Sequence, residues 1–346
     1  MWPDLLFPDG SLTRLFFNTP LSALDSLIPQ RPVIFITDKN IIRLYPNRFP
    51  PSRTIVLPPG DAHKNLRTVK QLYRALMRIN ADRSAFLVGV GGGSVSDLTG
   101  FVAATFHRGL PFGFVPTTLL ASVDAAVGGK NGYNWGNVKN SIGTVRQPDL
   151  ILWDFSFFPT LPEQEWTSGF AEIIKHGAIL SSAHLTFLEQ HTPEVFRQDK
   201  ELLTRLISDS VRIKADIVIK DHNEHGLRKL LNFGHTLGHA MERLYHLTHG
   251  EAVSLGMAAA TILSEKYSSL THEETLRLLA LLQRYHLPVH LKWKPAPLFK
   301  ILARDKKKRG DVIDLVLLES LGRATLYPLP LNEARKDLHD LCCDRP

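Results

Sequence analysis

The sequence predicts two architectures in series: an N-terminal α/β domain, a parallel sheet with flanking helices, over residues 1–155, and a mainly α-helical domain over residues 156–346. Three observations carry this expectation. In the first half, short β-rich runs alternate with helical stretches, the pattern of a mostly parallel sheet covered on both faces. A glycine string, Gly91-Gly92-Gly93, stands between an apolar strand and a helical stretch. From about Leu161 onward, long helical periodicities take over.

The elements follow in order. Val33–Thr37 is a β-rich run, and Thr54–Leu57 is another, stopped by Pro58-Pro59-Gly60. Leu66, Val69, Leu72, Tyr73, Leu76 and Ile79 recur at helix spacing. Ala85–Val90 is an apolar strand that runs into the glycines and a second helical stretch through Phe106. Phe112–Val115 and Leu150–Trp153 are further strands, and the segment between them has the composition of a loop. The domain boundary is expected between Asp154 and Pro162. Helices are expected over Glu163–Leu180, Leu202–Ile219, Lys229–Leu247 and Glu251–Tyr267. A late β-like pair, Val312–Leu318 and Ala324–Tyr327, is joined through Gly322. There is no internal repeat and no low-complexity linker.

Bulk composition narrows the class. A chain of 346 residues, 44% hydrophobic and 22% charged, has the make-up of an ordinary globular protein of about two domains. No run of eighteen apolar residues occurs, so no membrane partner is expected. The start, Met1-Trp2-Pro3-Asp4, lacks the basic and apolar regions of a secretory signal. The two cysteines, Cys342 and Cys343, are adjacent and cannot staple a fold, which suits a reducing cytoplasm. The formal charge is +7. Nucleic acid is not the expected partner: Lys306-Lys307-Lys308-Arg309 is the one basic run, and no RNA-binding aromatic motif occurs. The excess is spread over the chain or serves a polyanionic small substrate.

Several strings carry chemistry. In Val88–Asp97 a strand, a glycine turn and a helix start follow one another; glycines let the backbone approach a pyrophosphate, whose charge the helix N-terminus favours. The spacing is not a strict G-x-G-x-x-G. A tight βα turn with Ser94 and Ser96 as N-caps is the alternative. Gly128-Gly129-Lys130 with Lys139-Asn140 suits an oxyanion pocket, or equally a structural loop with solvated lysines. His235, His239, His246 and His249 fall within fifteen residues, and His235 and His239 share one helical face. Thr236 replaces the glutamate that a metalloprotease helix needs, so the site has to find a carboxylate elsewhere or do different chemistry. Glu172, with Lys175 on the same face of an apolar helix, is the candidate; a plain salt bridge is the alternative.

Taken together, GGGSVSDLTGF, PTTLLASVDAAVGGK, KNSIG, LPEQE, GFAEIIKHG, RIKAD, GLRKLLNFGHTLGHA, HGEAV and DKKKRG resemble, in order, the 3-dehydroquinate synthase family of sugar-phosphate cyclases. The resemblance runs from about residue 60 to residue 310. It implies a dehydroquinate synthase-like fold, with a nucleotide-binding first domain and a metal-binding second one. The implied reaction converts 3-deoxy-D-arabino-heptulosonate 7-phosphate to 3-dehydroquinate and phosphate. It proceeds by transient NAD-dependent oxidation, phosphate elimination, re-reduction and aldol closure, a step of aromatic amino acid biosynthesis. The implied cofactors are NAD and zinc or cobalt, the metal held by Glu172, His235 and His249. This reassigns His239, which the residues alone pair with His235, to the substrate phosphate and the elimination; His246 is left without a role. By the same resemblance, NAD lies along Gly92, Gly93, Ser94 and Asp97, and touches Thr117, Thr118, Lys139 and Thr160, with Asp61 and Lys64 near the ribose. The implied catalytic set is Lys130, Lys175, Lys214, Arg228, Asn232 and His239, with substrate contacts from Asp124, Asn140 and Lys306 or Lys307. Arg108 resembles an arginine that reaches into a neighbouring subunit, which implies a homodimer.

The chain departs from the family pattern at Asp61, usually glutamate, at Asn131, usually threonine, and in the loop interior Trp135-Gly136-Asn137. Arg146 stands where histidine is common, and His222 where an acidic residue is common. Retention of Lys214, Arg228 and Asn232 favours a carboxylate-bearing substrate over sedoheptulose 7-phosphate, the substrate of a sister cyclase. An alcohol dehydrogenase would not need that residue set, and intact metal ligands argue against a catalytically silent binding protein.

Overall fold

The computed structural model describes residues 4–28, 30–136, 138–222, 224, 226–290, 293–302 and 308–343. Contacts within the chain divide it into two compact units, Met1–Glu165 with Asp199–Val211, and Trp166–Gln198 with Arg212–Pro346.

In the first unit the strands are β1 (Leu5–Leu6), β2 (Leu12–Phe16), β3 (Val33–Asp38), β4 (Thr54–Leu57), β5 (Phe86–Gly91), β6 (Phe112–Pro116), β7 (Lys130–Trp135), β8 (Val138–Val145) and β9 (Leu150–Leu152). Seven of them form one sheet in the order β1-β2-β9-β6-β5-β3-β4. All neighbours are parallel except the edge pair β1 and β2. The helices between them are α1 (Leu24–Leu27), α2 (Lys39–Leu44), α3 (Leu66–Arg78) and α4 (Gly93–Thr105). Phe86, Val88, Val90, Val115, Leu150 and Leu152 form a buried core with Val33 and Ile41. Each such side chain contributes about 1.5–3 kcal/mol by leaving water. The predicted sheet is therefore present. From β3 the chain goes to β4 on one side and then to β5 on the other. That reversal puts a crevice at the carboxyl ends of β3 and β5, where open α/β sheets bind ligands.

The expected middle loop is structured instead. Residues Ala121–Ala125 form one π-helical turn, and β7 and β8 make a separate antiparallel hairpin. Almost every β8 residue is exposed, so the strand lacks the apolar alternation that would have revealed it.

Further along come α5 (Glu163–Leu180), α6 (Ser182–Glu189), α7 (Pro193–Gln198), α8 (Lys200–Lys220), α9 (His235–Tyr245), α10 (His249–Tyr267), α11 (His272–Arg284), α12 (Pro295–Leu302), β10 (Lys308–Arg309), β11 (Val312–Ser320), β12 (Arg323–Pro330) and α13 (Leu331–Cys343). In the second unit, Leu237, Met241, Leu255, Leu263, Leu315 and Leu317 pack together beneath α12 and α13. The helix expected over 229–247 is broken: Leu227–Asn232 is a 3-10 turn, and Gly234 takes φ +76, a left-handed conformation. A side chain at Gly234 would meet Met257 and the Val253 carbonyl. The break lets α9 restart at His235. No helix among the described residues is long and apolar enough to cross a membrane.

Candidate nucleotide turn and metal centre

The turn after β5 is made of backbone. Gly92 is the N-cap residue of α4 with extended torsions, φ −76 and ψ −174, and no side chain caps the helix. The expectation of Ser94 or Ser96 as N-cap is thus not met; the Ser96 hydroxyl points back to the Gly92 carbonyl at 3.4 Å. The first N–H groups of α4, those of Gly93 and Ser94 among them, point out of the helix start, where an anion is favoured. Thr117 donates its N–H to the Gly91 carbonyl at 3.0 Å, fixing the next strand end beside the turn. A Cβ at Gly92 would lie 3.3 Å from Thr118 Cγ2, and one at Gly93 3.2 Å from Ala125 Cβ. The turn is a cradle whose space a side chain would fill.

Beside it, five predicted residues meet. Lys64 is buried and donates to Asp97 Oδ2 at 2.8 Å and Asn140 Oδ1 at 2.5 Å. Asp61, at 3.5 Å from Lys64 and 3.7 Å from Lys139, still reaches the cluster despite its shorter side chain. Burial raises the Asp97 carboxyl above its ordinary value, and Lys64 opposes that shift. Thr160 makes its contacts elsewhere, at Tyr45 (2.8 Å) and the Phe157 carbonyl (3.2 Å). Asp124 lies in the π-turn and Lys130 opens β7, exposed. The departure Asn131 is buried and ties two carbonyls together, those of Gly129 (2.7 Å) and Arg146 (2.9 Å). Arg108 is exposed in a turn where His107, Arg108 and Gly109 all have positive φ.

In the second unit the polar centre is made of side chains. Glu172 and Lys175 sit on α5 among apolar neighbours, both buried, with the ammonium bound to Glu172 Oε2. The other oxygen, Oε1, lies 3.1 Å from His249 Nε2 and 3.5 Å from His235 Nε2. His235 Nδ1 stands 3.1 Å from the Phe233 carbonyl, which can only accept, so the ring proton is held there and Nε2 keeps its lone pair. His249 is the first residue of α10 because Thr248 and Glu251 form a capping box: Thr248 Oγ1 accepts from the Glu251 N–H, and Glu251 Oε2 accepts from the Thr248 N–H at 2.8 Å. The two helices approach closely at glycines. A Cβ at Gly238 would lie 2.6 Å from the Ala252 carbonyl oxygen, and Gly256 abuts Gly234.

Burial alone would raise Glu172, but Lys175, His235 and His249 outweigh it and hold the carboxyl well below its usual range. Burial, then Lys175, pushes His235 well below its usual value, with Glu172 opposing. An ionised carboxylate facing the neutral His235 imidazole is the state in which these groups ligate metal. Tetrahedral zinc ligands stand roughly 3.3 Å apart, close to the two Glu172 separations, and the ligand atoms of Glu172, His235 and His249 all lie within 4.8 Å of one another. The donor set fits a divalent ion. His239, Glu242 and His249 form a second such group, but it lacks a buried carboxylate. His239 is exposed, edge-on to His235, with ring centroids 5.1 Å apart. Glu242 was not among the expected residues, although its i,i+3 spacing from His239 is visible in the sequence.

Lys214, Arg228 and Asn232 are not drawn into that cluster by any contact described. Lys214 is a buried cation on α8. Arg228 is also buried; its Nη1 donates to the His222 carbonyl at 2.9 Å, a bond indifferent to the side chain at 222. Asn232 donates to the Lys229 carbonyl at 3.1 Å. Lys306 and Lys307, and the departure Asn137, lie outside the described residues. His246, read as incidental, is the exposed left-handed C-cap of α9.

An α/β unit with a glycine turn at its sheet's carboxyl edge, and a helical unit with a Glu-His-His centre, define a two-unit enzyme of the sugar-phosphate cyclase type. The N-terminal 3-dehydroquinate synthase family description matches residues 54–168 and the C-terminal one residues 169–308. The chain belongs to the 3-dehydroquinate synthase family. It is 39% identical over 338 residues to the 3-dehydroquinate synthase of Dichelobacter nodosus, covering 93% of this chain and 89% of that one. To the enzyme of Geobacter metallireducens it is 43% identical over 285 residues, 81% of this chain and 79% of that one. Among solved structures, 2-epi-5-epi-valiolone synthase from Streptomyces hygroscopicus, with NAD+ and Zn2+ bound, matches at a TM-score of 0.85 and 26% identity, covering 95% of this chain and 96% of that one.

Proposed function

We propose that this chain is a 3-dehydroquinate synthase, a carbon–oxygen lyase that converts 3-deoxy-D-arabino-heptulosonate 7-phosphate to 3-dehydroquinate and phosphate with NAD and a divalent metal, zinc or cobalt. The observation that carries the reading is the division of labour at Glu172: one oxygen for the imidazoles, the other for Lys175. When bound, NAD takes up a hydride from the substrate and returns it, and the metal ion lends Lewis acidity to the alcohol being oxidised.

The chain's own residues do the rest. Glu172, His235 and His249 are the metal ligands. Gly92, Gly93 and Ser94 receive the pyrophosphate, with Asp97, Thr117, Thr118, Lys139, Thr160, Asp61 and Lys64 along the rest of the nucleotide. Lys175, bound to Glu172, orients an oxygen of the substrate. His239 holds the phosphate as it leaves. Lys214 and Arg228 supply buried positive charge for the substrate's anionic groups, which water screens little there. Asn232, Asp124, Lys130, Asn140 and Lys306 complete the contacts. Arg108 is exposed and without an ion-pair partner among the described residues, which supports a role across a homodimer boundary. The adjacent cysteines suit a cytoplasmic setting.

Incubation with the heptulosonate phosphate and with sedoheptulose 7-phosphate, side by side, tests this. The expected result is 3-dehydroquinate and phosphate from the first alone, without NADH accumulation. A carbocycle from the second alone would make the chain a sister cyclase, and NADH accumulation would make it a dehydrogenase. Binding of NAD+ and metal with no product would make it a silent protein.

A further inference from the structure

We propose that Asn134, near the end of β7, is the positioning residue that holds the nucleotide-side cluster in shape. The inference rests on the NAD reading above and deepens it. Asn134 touches the 61–65 segment in several ways. Its main-chain N–H donates to the Lys64 carbonyl at 2.8 Å, and it forms a parallel bridge with Asn65. Its side-chain Nδ2 donates to Asp61 Oδ2 at 3.1 Å. The same amide works in the other direction: Oδ1 accepts the N–H of Asn140 at 2.9 Å. One side chain therefore ties the hairpin's return strand to the turn that carries Asp61 and Lys64.

What it holds is a backbone that few residues adopt. Asn140 has φ +50, in the left-handed region. In that conformation its side-chain oxygen takes the Lys64 ammonium at 2.5 Å, and the same ammonium binds Asp97 at 2.8 Å. Asp61, Lys64, Asp97 and Asn140 come from three separate segments, and Asn134 bonds directly to two of those segments. It carries no charge and has no assigned contact with either reactant, so its effect runs through the others. The position requires an amide. Aspartate has the same shape and keeps the acceptor for Asn140, but it loses the donor and sets a second carboxylate against Asp61.

The test is calorimetric titration of the full chain with NAD+, which reads binding without turnover. In Asn134→Asp, the NAD+ Kd should rise about tenfold or more, with metal content unchanged. In steady state the KM for NAD+ should rise alike, while kcat at saturating NAD+ changes by less than about threefold. Trp135→Ala, an exposed neighbour in the same hairpin, controls for general loosening. Should Asn134→Asp not fold, Asn134→Ser should show the same direction with a smaller loss. An unchanged Kd in a folded variant, or an equal loss in Trp135→Ala, overturns the inference. A parent chain that does not bind NAD+ is a different result: it removes the nucleotide reading, and this inference with it.

Discussion

The turn after β5 offers a ligand main-chain N–H groups and empty space; the centre between α5, α9 and α10 offers buried charge. At Gly92 nothing but hydrogen projects from Cα, and no side chain caps the helix that follows. At Glu172 a fully buried carboxylate is balanced by one ammonium and two imidazoles. The difference predicts opposite sensitivities. A turn made of backbone should be spoiled by the gain of a side chain. A site made of buried charge should fail when one member is removed, because the remaining charges are left uncompensated.

The largest effect should therefore come from Glu172→Ala. It removes a proposed metal donor and strands the Lys175 ammonium, itself buried. Breaking a buried pair by deleting one partner costs about 3–5 kcal/mol. Metal analysis should find the ion lost, and turnover should fall by more than roughly 100-fold, the upper range for losing a group that merely supports a ligand. Glu172→Gln separates the two consequences: the amide oxygen still accepts from Lys175, so a denaturation midpoint nearer the parent is expected while the metal is still lost. Full metal occupancy in Glu172→Gln would remove Glu172 from the ligand set and, with it, the contrast between the units.

Gly92→Ala probes the other side with a smaller effect. The added Cβ would stand 3.3 Å from Thr118 Cγ2, a contact that a side chain can relieve by a small shift. The torsions at Gly92 are ones an alanine adopts. Folding should be little changed, and NAD+ affinity should fall about tenfold, which is ~1.4 kcal/mol. Equal NAD+ affinity in a folded Gly92→Ala chain would mean that the pyrophosphate does not use this turn.

The same contrast explains what could be read from the sequence. The parallel sheet was legible because Val88, Val90 and Val115 repeat in apolar runs flanked by turn residues, a local pattern. The β7–β8 hairpin was not, since β8 is almost wholly exposed and carries no apolar alternation. Glu172 and Lys175 stood out as charges in an apolar helix. The imidazoles that approach Glu172 did not: His235 and His239 share a face, yet Glu172 Oε1 meets His235 and His249. That outcome depends on the close approach of α9 and α10 at Gly238 and Gly256, a long-range fact that spacing along one helix does not contain. The break at Gly234 was hidden for a similar reason, because Leu230, Leu231 and Leu237 continue a helical period straight through it. Asn134 was missed because its partners, Asp61 and Asn140, are brought to it by the fold.

The smallest expected effect sharpens the comparison by touching the charged centre through backbone. Thr248 caps α10, and His249 is the next residue. Thr248→Ala removes the hydroxyl that accepts from the Glu251 N–H and also the local partner of the Glu251 carboxylate. Loss of such a cap costs about 1 kcal/mol of stability. Fraying of the first turn would loosen His249 while leaving Glu172, Lys175 and His235 in place. Metal affinity should therefore drop by roughly tenfold at most, the lower range for a group that orients a ligand, and NAD+ affinity should stay at the parent value. Competition with a chelator measures the first quantity and calorimetry the second. If chelator competition is unchanged while the thermal midpoint falls as expected, the first turn of α10 does not set the position of His249, and side-chain contacts such as that with Glu172 hold the ring.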